Sequence, residues 1–110
     1  MSLSAPTEAD IQSIVNLVVA EVSPLRVVLF GSAARGELRE HSDVDLMVVV
    51  PEGTDQREVA GDLYVCLARA REKVPVNFVV TTPSKFEAHR DTLGLVYREI
   101  SREGREIYAA

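Results

Sequence analysis

The sequence predicts an α/β fold (α+β in some schemes), a small sheet with helices packed against it. Short apolar runs of strand length occur at 25–30, 44–50 and 74–82. Around them, apolar residues recur at the i, i+3, i+4 spacing of amphipathic helices. The first run is so strongly apolar that both faces of its strand must be covered, which favours a layered helix–sheet arrangement over an open sheet. At 110 residues the chain has the size of one domain, 1–110.

In order along the chain, residues 1–5 read as a mobile tail. Thr7 is placed to cap a helix over 8–22, with Glu8 and Asp10 in its first turn. Ile11, Ile14, Val15, Val18 and Val22 form its apolar stripe, and Ser23-Pro24 ends it. The strand 25–30 follows. Residues 32–35 predict a short helix that Gly36 terminates, and 37–41 a charged, exposed connection. The second strand, 44–50, stops at Pro51. Thr54 is read as the N-cap of a helix over 55–72, whose stripe is Val59, Leu63, Cys66, Leu67 and Ala70. Cys66 on that stripe is read as a packing residue, because free cysteine behaves as a small hydrophobe. The third strand, 74–82, begins at a proline and carries Asn77. Thr81 to Ser84 cap a helix over 85–89. Leu93, Val96, Tyr97 and Ile100 give another helical stripe, with Gly104 as its C-terminal cap. Glu106 to Tyr108 read as a short edge strand.

Composition narrows the function classes. Twelve basic against 17 acidic residues give a net charge of -5. That argues against strong electrostatic binding of nucleic acid. No apolar run approaches the roughly 20 residues of a membrane span. The N-terminus lacks the pattern of a signal peptide, and one cysteine cannot form an internal disulfide, so a cytoplasmic location is expected. Leu17, Val18, Val19 and Val22 place apolar residues on more than one face of the first helix. This predicts a homodimer or a complex with a partner.

The chemistry concentrates in residues 29–50. The first strand breaks at Gly31-Ser32, and Ser42-Asp43-Val44-Asp45 opens the second. Side chains two apart on a strand share a face, so Asp43 and Asp45 point together. Two carboxylates at the start of an apolar strand are costly unless a cation neutralises them. Magnesium takes hard oxygen ligands and keeps waters, so a carboxylate pair with substrate phosphates can complete its shell. Gly31 allows close approach of backbone to a phosphate, and Ser32 adds a hydroxyl donor. The bland reading of the same residues is a turn that needs a small residue and an aspartate pair capping a strand entrance. Arg35 can pair with a phosphate or with a local acid such as Glu37. Ser42 can orient Asp43 or cap the turn. His41 and His89 lack metal-ligand spacing and are read as surface residues.

The compound pattern Gly31, Ser32, Ala34, Arg35, Gly36, then Ser42, Asp43, Asp45, Leu46 resembles the signature of the minimal nucleotidyltransferase domain, in the DNA polymerase β-like superfamily. The segment from Arg98 through Gly104 to Tyr108 is similar to the C-terminal part of small members, so the likeness covers about the whole chain. The resemblance implies a small mixed sheet flanked by helices. It implies transfer of a nucleoside monophosphate, AMP from ATP, to a hydroxyl acceptor with Mg2+, two ions in the usual arrangement. Gly31, Ser32, Arg35 and Ser42 are then nucleotide-binding, and Asp43 and Asp45 hold the metal. It also implies an all-helical HEPN partner protein, with this chain as the antitoxin that modifies it.

One position departs from the family pattern. The third strand usually carries a third aspartate, and here the matching segment is Val76-Asn77-Phe78-Val79. Asparagine can offer a carbonyl oxygen, but it has no charge and cannot act as a base. The competing expectation is therefore a nucleotide-binding module that acts on its partner by contact, with weakened catalysis. Glu52 and Asp55 are the next candidates for a base. An antibiotic-modifying nucleotidyltransferase would need a further domain.

Overall fold

The computed structural model describes residues 5–40 and 42–110. The expected tail (apart from residue 5) and His41 lie outside the described residues. Nine elements follow in the order α1 (Glu8–Val22), β1 (Arg26–Phe30), α2 (Gly31–Ala34), β2 (Val44–Val49), α3 (Gln56–Arg69), β3 (Val76–Thr81), α4 (Pro83–His89), α5 (Val96–Glu103) and β4 (Arg105–Ala109).

The strands form one mixed sheet in the order β3-β2-β1-β4. β1 runs antiparallel to both β2 and β4, whereas β2 and β3 are parallel. A parallel pair needs a long crossover, and α3 supplies it. Side-chain alternation then divides the core in two. Val27, Leu29, Val44, Leu46 and Val48 face α1 and α3, which contribute Ile11, Ile14, Val15, Val18, Val59, Leu63 and Leu67. Val28, Phe30, Met47 and Val49 face α4 and α5, which contribute Phe86, Tyr97 and Ile100. Both faces of β1 are thus covered, as its composition requires.

Local chemistry sets the helix starts. Thr7 Oγ1 accepts from the Asp10 N–H at 3.1 Å while the Thr7 N–H donates to Asp10 Oδ2 at 2.9 Å, a reciprocal capping box. At α3 the cap is Asp55 rather than Thr54. Its Oδ1 accepts from the Glu58 N–H at 3.0 Å, so the helix starts one residue later than expected, and it ends at Arg69. Ala70, placed on the stripe from spacing, is the exposed C-cap. Thr82 caps α4 with Pro83 in its first turn, where a missing N–H costs nothing. β3 begins at Val76 because Pro75 cannot donate to a ladder, although its carbonyl accepts from the Val44 N–H at 2.9 Å. At the free edge of β3, the Phe78 N–H donates to the Tyr64 hydroxyl at 3.1 Å.

Three packing expectations are corrected. Leu93 is 74% exposed, because Gly94 at φ +83° turns the chain and α5 starts only at Val96. Gly104 is extended at φ -67°, not left-handed. Its smallness is needed for another reason: a Cβ there would lie 2.4 Å from the Ile100 carbonyl oxygen and 2.8 Å from Val28 Cγ1. On α1, Val18 is buried, and Leu17, Val19 and Val22 pack half-buried against the main core, so these residues no longer argue for an interface.

Candidate active site

The site forms where β1 ends and β2 and β3 begin. The backbone leaves β1 at Phe30 and turns at Gly31, φ +70°, into the single turn of α2. In the β1–β2 register Phe30 stands opposite Asp45. Gly31 is therefore driven against that carboxylate, and a Cβ at this position would lie 2.3 Å from Asp45 Oδ2. Both properties call for glycine, the left-handed φ and the contact. Ser32 follows, half-buried, and no Phe30 side-chain cap covers the first N–H groups of the turn.

The parallel register sets Asn77 beside Asp45 on the neighbouring strand. Asp43 precedes β2 by one residue and shares the face of Asp45. The Asn77 amide nitrogen donates to Asp43 Oδ2 at 3.1 Å and to Asp45 Oδ1 at 3.1 Å. Carboxylates only accept, so the NH2 end of the amide must face them. Asp43 and Asn77 are exposed and Asp45 is half-buried. The cluster opens to solvent at one end of the sheet, on the face shared with Met47, Val79 and α5.

Arg35 and Ser42, for which the sequence left two roles open, make local contacts within the chain. The Arg35 guanidinium pairs with Glu37 at 3.0 Å, Glu103 at 3.1 Å and Glu99 at 3.3 Å. Donating hydrogen bonds to Glu37 and then Glu103 raises its pKa above its ordinary value. This fan ties the end of α2 to α5. The Ser42 hydroxyl accepts from the Arg39 N–H at 2.8 Å and so closes the turn before Asp43. Sequence reasoning missed Glu99 and Glu103. They lie 64 and 68 positions from Arg35, and no local pattern marks them.

The reserve candidates stand elsewhere. Glu52 follows β2 at the opposite end of the strand, where it accepts from the Ser84 hydroxyl at 2.9 Å. That bond, then one from Thr82, holds its carboxyl below the usual range. Asp55 is the cap of α3. His89 is half-buried and stacks on Tyr97, with ring centroids 6.1 Å apart. Cys66 is only partly buried, because it sits at the margin of the α3 stripe. Desolvation and then Glu21 push its thiol pKa up, which does not suit a nucleophile.

The donor set agrees with a magnesium ion in its chemistry. Asp43 and Asp45 offer hard carboxylate oxygens at an open edge, where phosphates and waters can complete six ligands. Among the described residues no group of three or more His, Cys, Asp or Glu side chains gathers for a metal. The third place belongs to Asn77. Among the described residues no helix is long and apolar enough to cross a membrane.

Residues 11–107 match the family profile described as Nucleotidyltransferase domain. No curated protein sequence matches the chain. Among solved structures, the chain is similar to a toxin-antitoxin crystallised with AMP-PNP, at 19% identity and TM-score 0.59 over 90% of this chain and 73% of that one. It is similar to the toxin-antitoxin MntA-HepT at 17% identity and TM-score 0.55, over 94% and 74% of the two chains. A candidate nucleotidyltransferase from Sulfolobus solfataricus follows at 20% identity and TM-score 0.53, over 92% and 78%. At identities this low the likeness to solved structures establishes the fold.

Proposed function

We propose that this chain, which belongs to the nucleotidyltransferase domain family, transfers a nucleoside monophosphate from a nucleoside triphosphate to a hydroxyl group on a partner protein. The observation that carries the reading is the contact of the Gly31 turn with Asp45, beside Asp43 and Asn77. It sets a backbone able to approach phosphates against a carboxylate pair able to hold a cation. Magnesium bound at Asp43 and Asp45 would supply positive charge to the transferred phosphoryl group. Gly31 admits the triphosphate to the turn, and the Ser32 hydroxyl can donate to it. The acceptor oxygen bonds to the α-phosphorus, and pyrophosphate leaves. Asn77 cannot take the acceptor proton, so that proton passes to solvent or to a carboxylate of the pair.

ATP is the proposed substrate, with AMP as the transferred group. The proposed partner is an all-helical HEPN-type protein, with this chain acting as antitoxin. Support comes from the solved structures to which the chain is similar, four of which are toxin-antitoxin structures, one with AMP-PNP. Exposed Leu93, Leu95 and Val96 around the α5 start, with Tyr64 and Val65 on α3, give apolar surface suited to a partner or a second copy. The test uses ATP labelled at the α-phosphate, magnesium and a HEPN-type protein encoded beside this chain. Label should pass to the partner and be abolished by Asp43→Asn with Asp45→Asn. Transfer that persists in the double variant defeats the assignment. The second reading, a nucleotide-binding module acting by contact, is favoured by Asn77. It predicts partner and nucleotide binding without transfer of label.

A further inference from the structure

We infer that Asn77 is a competitor of the divalent cation rather than one of its ligands, so that the cation enters with the nucleoside triphosphate and not alone. The inference rests on the reading that Asp43 and Asp45 hold a metal. Asp43 Oδ2 and Asp45 Oδ1 each lie 3.1 Å from the single amide nitrogen of Asn77. Both oxygens accept from this one NH2 group, one hydrogen each, and the group stands between them. The amide thus satisfies the pair much as a cation would, without the charge. A cation shared by these oxygens must displace both hydrogens, because the positive ends of the N–H dipoles face the same oxygens.

The amide can then withdraw, or turn and offer its carbonyl oxygen. Either course breaks two hydrogen bonds to charged groups, and the second returns one neutral ligand. An aspartate at this position would instead leave the pair without donors and add a third negative oxygen donor. The phosphates of a nucleotide add negative oxygens from outside the chain, and they can tip the exchange that a free ion cannot. The position therefore sets an order of binding. An asparagine acting as an ordinary ligand would set none.

The sign of one variant separates the two roles. Asn77→Ala removes both hydrogens and also the carbonyl oxygen. If Asn77 competes, Mn2+ alone binds Asn77→Ala more tightly than the parent, by about tenfold or more, the scale of one hydrogen bond to a charged group. If Asn77 is a ligand, the same variant binds more weakly. The measurement is the free Mn2+ resonance during titration of the full chain, with and without AMP-PNP, each nucleotide titration read against Mn2+ and AMP-PNP at the same concentrations without protein, and circular dichroism confirms folding. Asn77→Asp should bind Mn2+ alone more tightly still. The parent should take up Mn2+ appreciably only when AMP-PNP is present. Weaker or unchanged Mn2+ binding by Asn77→Ala overturns the proposal, as does parent that binds Mn2+ equally well with and without AMP-PNP. The underlying reading fails separately: Asp43→Asn with Asp45→Asn would then leave Mn2+–AMP-PNP binding intact, whatever Asn77 does.

Discussion

Gly31→Ala offers a perturbation whose size can be worked from the geometry, with Gly36→Ala as its control. Both glycines hold a left-handed backbone, at φ +70° and φ +71°. An alanine in that region costs about 1–2 kcal/mol, so both variants should lose stability on that scale. In a domain of this size that lowers the melting temperature by roughly 4–8 °C per kcal/mol. The two positions differ in what surrounds them. Nothing lies within 4 Å of a Cβ at Gly36, whereas at Gly31 it meets Asp45 Oδ2 at 2.3 Å. Carbon and oxygen atoms need about 3 Å or more, so the Asp45 carboxylate or the turn must retreat by most of an ångström. Misplacement of about 1 Å in a reacting constellation can reduce rate ~10²-fold. The expected outcome is similar melting temperatures for the two variants. Transfer of labelled nucleotide should fall ~10²-fold for Gly31→Ala and change little for Gly36→Ala. Equal losses of transfer in both would refute the claim that the contact with Asp45 is what the site requires.

Three further outcomes follow from other contacts. Gly104→Ala should destabilise by about 1–3 kcal/mol through overpacking, because its Cβ would press on Ile100 and Val28; a chemical-denaturation midpoint equal to that of the parent would refute this. Ser84→Ala removes the hydroxyl that holds the Glu52 carboxyl below its usual range. A lowered folded-state pKa stabilises the protein above the unfolded pKa, and that contribution is lost as pH falls through the folded value. Thermal melts of parent and variant should therefore differ near neutral pH and converge in acid, and a constant difference would contradict the assignment. Cys66, with its thiol pushed up by desolvation and Glu21, should alkylate more slowly in the folded than in the unfolded chain at mildly alkaline pH, and equal rates would show that the thiol is not so shielded.

What the sequence made legible was local. The valine-rich runs became strands because such side chains suit a surface covered on both faces, and the i, i+4 stripes became helices. The carboxylate pair was legible because two aspartates two residues apart on a strand must share a face. The failures came from contacts that close over distance in the chain. Glycine at position 104 suggested a left-handed cap, yet it is required by the approach of α5 to Val28 on β1. Leu93 carried the right spacing for a stripe, but the spacing could not reveal that Gly94 would start the helix later. Thr54 and Asp55 are both good caps, and one hydrogen bond to Glu58 decided between them.

Arg35 and Asn77 show what a motif leaves undecided. Arg35 belongs to the local pattern around Gly31, and a basic residue beside a phosphate turn invites a phosphate-binding role. Within the chain its partners are one acid two residues away and two on α5. Those ion pairs are exposed, so their strength is screened by salt; their consequence is to join the turn of α2 to a helix that the local motif does not contain. Asn77 works in the opposite sense. Its neighbours in the chain are ordinary strand residues, and it acquires meaning only when the parallel β2–β3 register sets it beside Asp45. The crossover through α3 delivers a neutral amide to a carboxylate pair. A carboxylate at this position would leave that pair without the two hydrogen bonds. The amide lets the pair fold with its hydrogen bonds made, and on the proposed reading it does so at the expense of affinity for a cation.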